Sequence, residues 1–185
     1  EVIAHAAAWI KGHRSYGLLT CLKHFPGHGS SRSDSHLGFV DISETWQEVE
    51  LQPYEKLQEE GLVDMIMLGH LFHKLFDNSN PITLSSKTIE SQIRHRLGFT
   101  GPIISDDMQM KAITNHYGLE DACCRAIAAG VDVMIIGNNL DHDPFILPKM
   151  VEAVIRCLDK KTVTEKRINE AWTRVQNLKQ SLQTR

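Results

Sequence analysis

The stretch Leu18-Leu19-Thr20-Cys21-Leu22-Lys23-His24-Phe25-Pro26-Gly27-His28-Gly29 decides how the rest of the chain is read. It begins as a short apolar run and then brings Lys, His, Pro and Gly in quick succession, continuing into Ser30-Ser31-Arg32-Ser33-Asp34-Ser35-His36. Packing alone does not call for that mixture. It describes a buried strand that delivers a polar, glycine-jointed loop to one place, and loops carried on rigid strand ends are where catalytic groups concentrate.

The same unit recurs downstream. Residues 63–68 form an apolar run ending in Gly69-His70, residues 102–105 one ending in Asp106-Asp107, and residues 131–136 one ending in Gly137-Asn138-Asn139. Helical patterns separate the runs. They cover 2–13, then 53–61 behind the helix-opening Pro53, then 85–97 behind a Ser cap, then 119–129; two further helices cover 144–158 and 165–182. Capping-box spacing occurs at Thr45–Glu48 and Thr162–Glu165.

Short apolar runs alternating with helices predict parallel strands buried on both faces, each delivering polar groups at its C-terminal end, where ligands bind in such folds. The fold class is therefore α/β. Four units are too few for a closed (β/α)8 barrel of about 250 residues, and half a barrel would leave two open strand edges. The expectation is a single partial barrel domain over 1–185, covered by its missing half or by a second chain. The chain opens on Glu1 inside a helical pattern, which reads as a cut-out of something longer.

Composition narrows the class. At 185 residues, 42% hydrophobic and 23% charged, the chain suits a globular core rather than disorder. A formal net charge of -3 supplies no basic surplus for a nucleic acid, and no apolar run approaches the roughly 20 residues that span a bilayer. The four cysteines match neither a disulfide framework nor zinc spacing, so packed, reduced thiols are expected.

Four groups of residues carry candidate chemistry. Asp34 and His36, two apart in a loop, allow a carboxylate to orient an imidazole that gives and takes a proton; an ordinary solvated loop has the same composition. Asp106 and Asp107 end a strand, so one faces the mouth and could act as a nucleophile while the other caps the next segment. Lys23 and His24 suit sugar hydroxyls or phosphate, the alternative being a buried ion pair such as Lys23 with Asp106. His24, His28, His36 and His70 with Asp106 are thinkable as a metal shell, but no His-x-His pair ends a strand, and no metal is expected.

Lys23-His24-Phe25-Pro26-Gly27-His28-Gly29 followed after four residues by Asp34-Ser35-His36 resembles the signature of the bacterial β-N-acetylglucosaminidases of glycoside hydrolase family 3. Ile104-Ser105-Asp106-Asp107-Met108-Gln109-Met110 is similar to the family's nucleophile segment. Pro81–Ser85, Leu97-Gly98-Phe99 and Ala129-Gly130-Val131-Asp132 fit in order and spacing. The resemblance implies the C-terminal half of a TIM barrel, roughly strands 5–8, and a retaining hydrolase of the peptidoglycan-recycling type, without cofactor. By position it implies Asp106 as nucleophile, His36 as acid/base, Asp34 as its partner, Lys23 and His24 as ligands of the sugar, and His70 as a candidate for the site wall. The implied substrate is an N-acetylglucosamine-containing muropeptide, the implied compartment the bacterial cytoplasm. Phosphorolysis in place of hydrolysis stays open, because a neutral His repels an anionic acceptor less than a carboxylate would. The family's earlier strands supply further sugar-binding groups absent from this chain, which alone is expected to be nearly inactive. A non-catalytic carbohydrate-binding fragment and a metal-dependent hydrolase are the competing readings.

Overall fold

The computed structural model describes residues 1–32, 40–139 and 142–183. Asp34 and His36 lie outside the described residues. Four strands form a parallel sheet in chain order: β1 (Cys21–Phe25), β3 (Met65–Leu68), β5 (Ile103–Asp107) and β6 (Val133–Ile135). β2 (Val40–Asp41) and β4 (Leu71–Phe72) make a separate two-stranded parallel ribbon, which the apolar pattern does not foretell. The register pairs Phe25 with Leu68, Leu68 with Ser105 and Asp107 with Ile135, so the C-terminal tips of all four main strands reach one edge.

Helices alternate with these strands: α1 (Val2–Arg14) before β1, α2 (Gln52–Glu59) before β3, α3 (Ser86–Thr88) running into a π-helical stretch (Ile89–Arg96) before β5, then α4 (Lys111–Thr114) and α5 (Leu119–Ala129) before β6. Two more close the chain, α6 (Ile146–Asp159) and α7 (Glu165–Gln183). Ser85 caps α3, its Oγ accepting the Thr88 N–H at 3.0 Å, and Ile89, Ile93 and Leu97 are buried on the expected face although residues 89–96 wind as a π-helix rather than the expected α-helix. Two other caps fall a few residues from their expected places, on Gln47, which makes the capping box with Glu50, and on Thr164, whose Oγ1 accepts the Arg167 N–H.

The core lies between sheet and helices. Ile66, Leu68 and Ile103 meet Leu51, Tyr54, Ile89, Ile93 and Ala126 there. Along β3 burial alternates, Ile66 and Leu68 being buried and Met65 and Met67 half-buried. Double-sided burial, expected from the unbroken apolar run, therefore does not hold on this strand: the helices take one face, and the opposite face is the concave wall of half a barrel.

Two aspartates fasten the N-terminal ends of the strands. Asp64, just before β3, accepts the Thr20 N–H at 3.0 Å and Arg14 Nη2 at 2.7 Å. Asp132, just before β6, repeats the device with the Ile103 N–H at 3.0 Å and adds Arg94, Arg167 and Arg174. Each ties one strand to the start of its neighbour, and Asp132 also binds α7 to the sheet. In barrels this end serves stability, while the C-terminal end serves chemistry.

The thiols depart from expectation. Cys124 of α5 and Cys157 of α6 form a disulfide, with Cα atoms 6.4 Å apart. Residues 33 apart in sequence are neighbours here because two adjacent helices pack side by side, which spacing alone does not reveal. Cys21 and Cys123 are free thiols, both pushed up to about 12 by burial.

Candidate active site at the strand tips

The strand tips gather His24, His70, Asp106 and Asp107. Asp106 Oδ2 lies 3.5 Å from His24 Nε2, with side chains 21% and 27% exposed, so the pair sits at a mouth open to solvent rather than in the core. The carboxylate's other oxygen accepts the Asp107 N–H at 2.8 Å. One oxygen is held by the backbone, and the other faces an imidazole across the opening.

Asp107 is committed elsewhere. Its Oδ1 accepts the Gln109 N–H at 3.0 Å and the Gly137 N–H at 3.1 Å, which closes the turn after β5 and stitches it to the segment after β6. Of the acidic pair, then, Asp106 faces the mouth and Asp107 caps. The approach at Gly137 leaves no room for a side chain, since a Cβ there would stand 2.5 Å from Asp107 Oδ2. Gln109 extends the same stitch, its Oε1 accepting the Asn138 N–H.

Lys23 is exposed on β1 and lines a groove of about 600 Å³ with Leu22, His28, Tyr54 and the start of α1. The contact at Asp106 is made by His24, one residue further along, and not by Lys23. His28 Nδ1 contacts Ser31 Oγ at 2.6 Å, and its ring stands edge-on to His24 with centroids 6.0 Å apart. Gly27, at φ +122°, packs so tightly on Glu50 that a Cβ would come within 2.6 Å of it, and Ser30 Oγ donates to Glu50 Oε1 at 2.6 Å. Trp46 Nε1 donates to the Pro26 carbonyl at 3.0 Å. The loop that leads towards Asp34 and His36 thus leaves β1 from a fixed root.

His70 lies beneath the mouth. It is 1% exposed, with Nδ1 2.9 Å from Thr83 Oγ1 and Nε2 3.0 Å from the Asp107 carbonyl oxygen. Burial holds its pKa below the ordinary value, against the opposing pull of the Asp107 carbonyl and of Asp106. Among the described residues no cluster of three or more His, Cys, Asp or Glu could hold a metal ion, and no helix is long and apolar enough to cross a membrane.

A carboxylate held at the C-terminal edge of a parallel sheet, facing an imidazole across an open mouth, defines an α/β barrel-type domain with its reactive groups on the edge where such folds carry their chemistry. Comparison with known proteins gives the family. The profile of the glycosyl hydrolase family 3 N-terminal domain matches residues 1–178, and the chain belongs to that family. It is 35% identical over 142 residues to a β-hexosaminidase of Tolumonas auensis, a match covering 75% of this chain and 42% of that protein. Among solved structures, CbsA of Thermotoga neapolitana superposes with a TM-score of 0.88 at 27% identity, over 98% of this chain and 41% of the other. A family 3 β-N-acetylglucosaminidase of a Paenibacillus species gives 0.84 at 29% identity, over 94% and 33%. The chain spans about half the length, or less, of these relatives.

Proposed function

We propose that this chain is the C-terminal half, strands 5–8, of the barrel of a retaining β-N-acetylglucosaminidase that removes terminal β-linked N-acetylglucosamine from peptidoglycan fragments. Asp106 Oδ2 attacks the anomeric carbon as the glycosidic C–O bond breaks, giving a glycosyl ester. His36, oriented by Asp34, gives its proton to the departing oxygen and then takes one from the water that opens the ester. Lys23 and His24 hold sugar hydroxyls. The site works on recycled wall fragments in the bacterial cytoplasm.

The observation that carries this reading is the division of labour in the acidic pair. Asp107 is consumed by two backbone N–H groups, while Asp106 presents an oxygen 3.5 Å from His24 at the open mouth. An anion fixed there stabilises an oxocarbenium-like transition state without reorganising during the reaction. One matched relative is named a β-hexosaminidase and another a β-N-acetylglucosaminidase, which supports an amino-sugar substrate.

The test is turnover of an aryl N-acetyl-β-glucosaminide by the complete barrel. Asp106→Asn is expected to lose at least about 1,000-fold in kcat, because the amide cannot form the glycosyl ester through which turnover passes. The first sugar released by the parent is expected as the β-anomer. An Asp106→Asn variant with parental turnover, or an α-anomer as first product, overturns the proposal. The chain by itself is expected to show only trace activity, since it contributes half of the barrel wall.

A further inference from the structure

His70 reaches no solvent, and both of its ring nitrogens are engaged below the mouth. The proton inventory fixes the role of one of these nitrogens. A carbonyl oxygen only accepts, so Nε2 carries a hydrogen donated to Asp107 O, while Nδ1 faces the Thr83 hydroxyl. Thr83 Oγ1 also lies 3.1 Å from the Gly69 carbonyl, and its single hydrogen serves the ring or that carbonyl, not both.

The chain of contacts ends on the proposed nucleophile. Thr83 orients His70, and His70 holds the carbonyl of Asp107. The N–H of the same residue holds Asp106 Oδ1, and its side chain is pinned by Gln109 and Gly137. Asp107 is thus gripped at its carbonyl, its N–H and its carboxylate. With that residue fixed, one oxygen of Asp106 is tethered and the other is aimed at the opening.

We infer that His70 and Thr83 form a positioning pair that acts through the backbone of Asp107 to aim Asp106. The inference rests on Asp106 being the nucleophile. His70 contributes a rigid donor to a peptide oxygen and touches neither sugar nor leaving group. Misplacing a reacting group by about 1 Å costs on the order of 100-fold in rate, so the effect belongs in kcat.

The experiment measures kcat and KM for an aryl N-acetyl-β-glucosaminide with the full-length protein and its His70→Leu, His70→Gln, Thr83→Val and Asp106→Asn variants. His70→Leu is expected to lose about 10- to 100-fold in kcat with KM within about threefold of the parent. His70→Gln keeps an N–H within reach of Asp107 O and is expected to recover most of that loss. Thr83→Val, which keeps the volume but leaves Nδ1 without its hydroxyl partner, is expected to lose about 3- to 10-fold in kcat, and it carries the test should His70→Leu not fold. A loss that falls on KM, unchanged kcat in His70→Leu or Thr83→Val, or a Gln variant no better than Leu overturns the positioning role. An active Asp106→Asn marks failure of the nucleophile assignment itself, whereas an inactive Asp106→Asn beside unaffected His70 and Thr83 variants marks failure of this inference alone.

Discussion

Replacing Asp132 by Asn isolates what holds the half-barrel together. Its carboxylate has 0% exposed side-chain surface, and it accepts Arg94 Nη2 at 3.0 Å, Arg174 Nη1 at 3.0 Å, Arg167 Nη2 and the Ile103 N–H at 3.0 Å. Asn keeps the shape, removes the negative charge that Arg94, Arg167 and Arg174 share, and turns an amide towards donors that need an acceptor. Arg94, already drawn below its ordinary pKa by burial and by repulsion from Arg174, loses its main compensation. Removing one partner of a buried ion pair costs about 3–5 kcal/mol. At a urea slope of about 2 kcal/mol per molar, the unfolding midpoint is expected to fall by about 1.5–2.5 M. The damage should stay local to stability. Asp132 adjoins Ile103, at the start of β5, and three strand steps of about 3.3 Å place it roughly 10 Å from Asp106. Equilibrium urea unfolding, followed by circular dichroism, gives the midpoint, and turnover per folded molecule in the complete barrel gives the control. A midpoint within about 0.3 M of the parent would refute the reasoning.

Other contacts make further outcomes testable. Gly137→Ala forces Asp107 off its two backbone donors, and kcat is expected to fall about 10- to 100-fold while Gly12→Ala, which meets nothing within 4 Å, has no such effect. Leu68→Ala, at a fully buried site under the helical layer, is expected to destabilise by about 2–5 kcal/mol in the same urea assay. Because burial depresses the His70 pKa, the unfolded chain takes up that proton near 6.5 and the folded chain only at lower pH. The His70 contribution is therefore undiminished above 6.5 and is lost as pH falls from there through the folded pKa, and His70→Gln is expected to flatten that part of the stability profile. Titration with a thiol reagent in denaturant is expected to find two reactive cysteines before reduction and four after, Cys21 and Cys123 being the first pair.

The strand and helix order was legible because each apolar run is short, bounded by Gly or Pro, and succeeded by a helical period. Asp106 and Asp107 show why local pattern stops short of a site. Alternation says that the two differ in direction but not which one faces the mouth; Gln109 and the distant Gly137 decide it by offering N–H groups to Asp107. His24 takes the place at Asp106 that sequence suggested for Lys23, because pairing depends on where the strand tip delivers each side chain and not on formal charge. The β2–β4 ribbon has two residues per strand, too few for any periodicity, and Cys124–Cys157 joins two helices whose packing is a tertiary fact. His70 stood out as a polar residue at a strand end, but its support role needed Thr83, thirteen residues away, to become visible.

The most direct measurement uses a fluorinated aminosugar that forms its ester quickly and releases it slowly. After incubation with the complete barrel, digestion and peptide mass analysis are expected to place the sugar on the carboxylate of Asp106. A sugar attached to Asp107 or to any other side chain, or inactivation with no covalent adduct, contradicts the account.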